Sequence, residues 1–226
     1  MSQYTWYDYI KKEVFIMNYE WKKEEKEIYL PKAKAVLVSV PKQRFISLKG
    51  KGDPNSCEFS EKISVLFPAA YSIKSQYKKY CKSTAQDVLY DNYSVNPLEA
   101  VWDMTEDGKQ SDKLIKSELI YEMMIAIPDF VPDEVIAEGI ANVKKKKPNP
   151  LLNELSVITM EERLSVQILH SGSYDDEPAS FKLMDQFCQD YNLRRTDDTH
   201  KEIYIVVKTV IQANLKTVLR YDVCPK

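Results

Sequence analysis

A carboxylate set into a branched, aromatic stretch is the first feature of this sequence that could do chemistry. The run His200-Lys201-Glu202-Ile203-Tyr204-Ile205-Val206-Val207 has the composition of a β-strand. Alternation sends Glu202, Tyr204 and Val206 to one face and Ile203, Ile205 and Val207 to the other. Glu202 therefore shares a face with a phenol. An ionised carboxylate among apolar neighbours is costly unless it is paired, hydrated or kept for a ligand. The alternative is a strand-end glutamate in water, and the strand alone does not choose between the two.

A second carboxylate of this kind is Glu99, in Asn96-Pro97-Leu98-Glu99-Ala100-Val101-Trp102. Laid side by side, the two halves of the chain give the same order: strand, glycine-containing turn, helix, a strand carrying a glutamate, and a closing strand. Ile46 to Gly52 corresponds to Val166 to Gly172, and Leu98-Glu99-Ala100 to Lys201-Glu202-Ile203. The fold class that follows is α+β, a tandem pair of βαββ repeats related by a pseudo-two-fold around a central ligand cleft. In that arrangement Glu99 and Glu202 are pseudo-equivalent and share the cleft with Trp102 and Tyr204. Such a cage attracts cations and flat delocalised molecules. An aromatic face contributes about 0.5 to 2 kcal/mol to a cation, and a carboxylate at 4 Å roughly 4 kcal/mol at an effective dielectric of 20 before desolvation. Alternation also puts Trp102 and Glu99 on opposite strand faces, so one of the two can point into the core.

The elements that must position these residues follow from periodicity. Strands are expected at Ala35 to Val40, Arg44 to Gly50, Asn96 to Trp102, Glu118 to Ile127, Ser156 to Thr159, Leu164 to Leu169, Glu202 to Val207 and Thr217 to Val223. Apolar residues at helical spacing predict a helix from Glu58 to about Tyr80, containing Pro68, and another from Ala179 to Tyr191. A further helix starts at Pro132 and ends in the run Lys144 to Lys147, where four lysines suit the negative end of a helix dipole. The expected organisation is an N-terminal extension (1–30), a first βαββ lobe (31–131), a connecting helix and linker (132–153) and a second βαββ lobe (154–226). Met123 and Met124 are adjacent and point to opposite faces, so one of them can reach the cleft.

Composition excludes several function classes. The chain has 226 residues, 32 Lys+Arg and 34 Asp+Glu, and a formal net charge of -2, which argues against direct nucleic-acid binding by phosphate neutralisation and against membrane binding through a basic face. No apolar run reaches the roughly 18 residues of a transmembrane helix, and no signal-peptide core is present, so the expected location is the cytoplasm. The four cysteines form no CxxC pair and have no histidine near them, which predicts reduced thiols and no zinc. Asp175, Asp176 and Glu177 are consecutive acids on a turn, expected to face solvent, and no metal or cofactor is assigned. His170 and His200 are the only histidines and fit no hydrolytic motif; His170 is expected to be a hydrogen-bonded structural residue. The 15 tyrosines are many for so polar a chain, and tyrosine suits ligand cages because it joins a flat apolar face to a hydrogen-bonding tip.

Several motifs together resemble one family. Val166-Gln167-Ile168-Leu169-His170-Ser171-Gly172-Ser173-Tyr174-Asp175-Asp176-Glu177-Pro178, Pro97 to Trp102, Ile127-Pro128-Asp129-Phe130-Val131, Glu202-Ile203-Tyr204 and Leu215 to Tyr221 look like the GyrI-like small-molecule-binding proteins. The similarity runs from about Met17 to Val223. It implies the tandem βαββ fold with a central cleft, shared with effector-binding domains of multidrug-responsive transcription regulators. A stand-alone branch that this chain resembles includes proteins that hydrolyse cyclopropane-bearing DNA-alkylating compounds in an aromatic cage. In the wider family an acidic residue on the late strand contacts ligand, which maps onto Glu202. Trp102 matches the first tryptophan of the family's Leu-Glu-Gly-Leu-Trp-Trp pattern, Asp103 stands where the second is common, and Val206-Val207-Lys208 replace the family's Ser-Asp-Pro.

The resulting expectation is a cytosolic, xenobiotic-binding protein for hydrophobic, aromatic or cationic small molecules, which either binds them only or also hydrolyses cyclopropane-bearing electrophiles. The alternative is an effector-sensing regulatory domain acting through a partner protein. Glu202 is the candidate catalytic residue, orienting or deprotonating a water. Trp102, Tyr204, Glu99, Tyr71, Tyr174, Phe130 and Met124 are the candidate ligand-binding residues, with a hydroxyl of Tyr71 or Tyr174 polarising a substrate carbonyl. As a residue on a helix, Tyr71 also fits the core.

Overall fold

The structure, a computed structural model, describes residues 17–84, 89–111, 113–207 and 214–226. In chain order the elements are β1 (Met17–Tyr19), α1 (Trp21–Glu24), α2 (Lys26–Tyr29), β2 (Val36–Val40), β3 (Gln43–Lys51), α3 (Cys57–Ser83), β4 (Tyr90–Tyr93), β5 (Leu98–Met104) and α4 (Glu106–Lys109). They continue with β6 (Leu119–Ile127), α5 (Asp133–Lys146), β7 (Ser156–Met160), β8 (Arg163–Ser171), α6 (Glu177–Asp190), β9 (Leu193–Arg195), β10 (His200–Val206) and β11 (Lys216–Pro225). The large helices begin where the chain supplies caps. Ser56 Oγ accepts the Phe59 N–H ahead of α3, and Pro132 precedes two acids in the first turn of α5. The lysines 144 to 146 close α5, as their charge favours.

One antiparallel sheet runs β2-β8-β11-β10-β5-β6-β3-β7, and β9 adds to β11. This order reads the same from both ends once the halves are matched, with β10 and β5 at the centre. The two lobes therefore meet edge to edge. Each outer strand, however, lies on the opposite lobe: β2 pairs with β8 and β7 with β3. The expected boundaries at 31 and 154 had assigned both strands to their own lobes. Only Pro41 and Lys42 separate β2 from β3. A two-residue hairpin needs positive φ that proline cannot adopt, so β2 swings away instead of folding back.

Pairing also fixes which residues are pseudo-equivalent. Gly52 (φ 112°) and Gly172 (φ 127°) are the positive-φ glycines of the two turns, and their N–H groups donate to Leu119 O and Leu215 O respectively. Two residues on, Tyr121 pairs with Trp102 and Thr217 with Tyr204. Trp102 and Tyr204 are thus counterparts, as are Ala100 and Glu202, and Glu99 and Lys201. The expected match of Glu99 with Glu202 is one residue out of register, and in a strand that slip moves a side chain to the other face.

The front face of the sheet carries the long helices. Leu66, Ile73 and Tyr77 of α3 and Val135, Ile136 and Val143 of α5 pack with Leu98, Ala100, Trp102, Met123 and Ile125. Met184 and Cys188 of α6 pack on Val166, Ile168, Leu219 and Tyr221. The back face is covered by the segment expected to be an extension: Trp21, Ile28 and Tyr29 are buried against Val40, Ile203 and Val218. Leaving those apolar groups in water would forfeit about 1.5 to 3 kcal/mol each, so Trp21, Ile28 and Tyr29 belong to the core. The remainder of that segment, residues 1–16, lies outside the described residues, as does Lys208.

Candidate functional site

The front face of β10 presents His200, Glu202 and Tyr204, and β5 presents Trp102 and Ala100 beside them, in the register His200 to Trp102 and Glu202 to Ala100. Glu202 is 9% exposed. It is held by neutral or weakly basic groups. Trp102 Nε1 donates to Tyr204 Oη at 3.1 Å, and that phenol lies in the field of the Glu202 carboxylate. His200 Nε2 lies 3.2 Å from Glu202 Oε1, and its ring stands edge-on to Phe181 at 5.0 Å. Burial and the Glu202 charge both push the Tyr204 phenol well above its ordinary value, so it stays a donor.

An aromatic wall extends from this centre. Phe59 of α3 stacks on Trp102 (5.8 Å, 17°) and meets Tyr121 edge-on at 5.0 Å. Tyr174, in the turn before α6, approaches Tyr204 edge-on at 6.4 Å. A Cβ on Gly50 would overlap the Tyr121 ring, so the strand must be glycine there for that ring to lie down against it. Beside Trp102 and His200 a cavity of about 420 Å³ opens, lined further by Met104, Lys109, Leu114, Leu119 and Asp198. Its size falls in the usual range of small-molecule sites. At the rim Lys109 Nζ bridges Asp103 at 3.1 Å and Asp198 at 3.8 Å.

The second acid of the site comes from an unexpected place. Glu177, in the first turn of α6, is 8% exposed, and its Oε1 has no hydrogen-bond partner among the described residues. Burial, reinforced by the charge of Glu202, pushes its carboxyl up to about 9, so it keeps its proton at neutral pH. The same two acids raise Tyr174 after burial has done so. The front face therefore holds a protonated acid, an acid with no lysine or arginine at ion-pair distance among the described residues, and a ring of aromatic surfaces.

Of the residues expected at the site, Glu202, Tyr204, Trp102 and Tyr174 come together. Glu99 and Met124 do not: both lie on the back face, and both are fully buried. Glu99 Oε2 accepts from Lys201 Nζ at 2.8 Å and Oε1 from Tyr29 Oη at 2.8 Å, while Lys201 also lies over the Phe45 ring and against the Met124 sulfur. Met123 is the methionine that faces the helices. Phe130 sits in a separate aromatic cluster with Tyr19, Tyr77, Tyr90 and Tyr93. Tyr71 points outward at 57% exposure, neither core nor cage. His170 is a structural residue, bonded to Ser180 Oγ and Ser173 O at 2.9 Å each. Glu177, His200, Phe59 and Tyr121 were not assigned from the sequence. His200 stands two residues before Glu202, so strand alternation alone could have placed it. Among the described residues no cluster of three metal-ligating side chains occurs, and no helix is long and apolar enough to cross a membrane.

Comparison with known proteins gives this geometry a context. The family model of the GyrI-like small molecule binding domain matches residues 33–220. Three crystal structures from Listeria innocua superpose on the chain, each covering 92% of it and 100% of its own length. One is an uncharacterized conserved protein (30% identity, TM-score 0.80), and two are hydrolases (29% and 28% identity, TM-scores 0.78 and 0.76). No curated protein sequence matches.

Proposed function

The chain belongs to the family of GyrI-like small molecule binding domains, and from that premise we propose that the Glu202 centre binds flat hydrophobic molecules, aromatic or cationic, and hydrolyses those that are electrophilic. The observation that carries this reading is the meeting of Glu202 with Trp102, Tyr204 and Tyr174 on one face, beside a cavity and without a strong counter-ion. A bound cation would supply the missing charge. For a neutral electrophile the same acid is a base for water. The likeness to two hydrolases supports the chemical half of the reading.

The reaction proposed is ring opening of a cyclopropane conjugated to a carbonyl. The ligand's ring system stacks along Trp102 and Phe59. Glu202, oriented by Tyr204 and His200, takes a proton from water as the water oxygen bonds to a cyclopropane carbon. The ring bond breaks, its electron pair moves to the carbonyl oxygen, and Glu177 delivers its proton there. Proton return from Glu202 to Glu177 resets the pair. A carboxyl held protonated beside a second acid is suited to the proton-donating half of this exchange.

The test is a panel of dyes and electrophilic drugs, followed by fluorescence quenching for binding and mass spectrometry for a product heavier by one water. Binding with a water adduct is the expected result. Binding without any adduct, together with ligand-dependent capture of a regulator, would make the protein an effector sensor; no binding by any aromatic or cationic compound would remove the proposal.

A further inference from the structure

We propose that the cavity between Tyr19, Glu25 and Phe130 is a second ligand site, for a small one-ring organic cation that carries N–H donors. This cavity measures about 300 Å³ and is lined also by Gln43, Asn96 and Asp129. It shares no lining residue with the cavity beside Trp102 and His200, so the inference does not rest on the Glu202 centre.

Charge is the first reason. Glu25, at the junction of α1 and α2, is held by a neutral donor: Asn96 Nδ2 reaches its Oε2 at 3.2 Å, and the Tyr19 phenol lies beside it. No lysine or arginine pairs with it among the described residues, and the Lys42 ammonium at the rim is turned to Glu161 at 3.1 Å. Burial pushes the Glu25 carboxyl up, with the charges of Glu99 and Asp129 adding to the same effect. A bound cation favours the ionised Glu25 carboxylate against them.

Hydrogen bonding is the second reason. Asn96 is 2% exposed, and its amide donates to Glu25 at 3.2 Å. Its Oδ1 is left without a partner among the described residues. That atom has no accessible surface, so it is the Glu25 carboxylate, with one hydrogen bond from Asn96, that remains open to a donor. An N–H beside the cation's charge supplies one, which a quaternary ammonium cannot do.

Shape is the third reason. Phe130 meets Tyr19 edge-on at 5.2 Å and is backed by Tyr90 at 5.2 Å, so one wall is aromatic and rigid. A single flat ring fits between that wall and the carboxylate, and the aromatic faces favour the positive charge.

Calorimetric titration with benzylammonium and benzamidinium is the experiment, with benzyl alcohol and tetramethylammonium as controls. The expected result, measured in Glu202→Gln so that the front-face centre does not contribute, is binding that falls at least tenfold when Glu25→Gln is added and is at least tenfold weaker for both controls. Nuclear Overhauser contacts between the ligand ring and the Phe130 ring in wild-type protein give a readout that does not depend on any variant folding. Equal affinity in the folded double variant, no binding at all in Glu202→Gln, or absence of contacts to Phe130 would each overturn the assignment.

Discussion

The two faces of the central strand pair each carry a buried glutamate, and the two acids are provided for differently. On the back face Glu99 has a lysine, a tyrosine and no exposure. On the front face Glu202 has a phenol, an imidazole and a second carboxyl beside it. A carboxylate whose charge is matched inside the fold has little left for a ligand, whereas one left with neutral donors keeps most of its field. The pseudo-two-fold makes the contrast sharper. The counterpart of Glu99 is its own ion-pair partner Lys201, so the back face is closed by symmetry, while the counterpart of Glu202 is Ala100, which closes nothing.

The largest effect that can break this comparison is on stability. Glu99→Gln leaves the Lys201 ammonium buried without its anion and is expected to cost about 3 to 5 kcal/mol in denaturant unfolding. Replacing both partners by methionine should recover most of that loss, because two apolar groups need no pairing. If Glu99→Gln proves as stable as wild type, the back-face acid is no more committed than the front-face one.

A second effect is on pH dependence. The Glu177 carboxyl is raised from the usual carboxylate range to about 9 in the folded chain. Between those two values the unfolded chain has lost a proton that the folded chain keeps, so stability falls as pH rises through this window. Glu177→Gln cannot ionise and should flatten the melting temperature between about pH 5 and pH 9, with little change below pH 4. An unaltered slope would mean that Glu177 is ionised like any surface acid.

The smallest effect concerns the link between the two lobes. Trp102→Phe removes the indole donor to Tyr204 and keeps the stack on Phe59. A loss of about 0.5 to 1.5 kcal/mol is expected by thermal unfolding, the usual contribution of one hydrogen bond. The Tyr204 hydroxyl should then titrate differently in ultraviolet difference spectra. No change in either quantity would show that the lobes do not communicate through that bond.

How much of this was legible in the sequence differs from residue to residue. Strand alternation placed Glu202 with Tyr204 correctly, because a period of two holds through that strand as far as Tyr204, before a register shift at its end. It also separated Trp102 from Glu99. The pairing of Glu99 with Glu202 failed because few identities anchor the repeat, and a one-residue slip in a strand costs nothing in sequence yet reverses the face. Glu177 was read as one of three solvated acids. Its helical spacing held the opposite message: Glu177, Phe181, Met184 and Cys188 fall on one stripe of α6, and the last two are buried. The exchange of β2 and β7 between lobes left only a weak signal in the Pro41-Lys42 link, since strand pairing across the whole chain is set by tertiary contact rather than by local propensity.

The central claim, that the front-face acid serves a ligand while the back-face acid serves the fold, is tested most directly by Glu202→Gln. With an electrophile that wild type both binds and hydrates, single-turnover rate and equilibrium affinity should be measured on the same protein. The account expects turnover to fall by roughly 100- to 10,000-fold, as for loss of a general base, with affinity for the neutral compound within a few fold of wild type and the fold intact. Unchanged turnover in Glu202→Gln would contradict it.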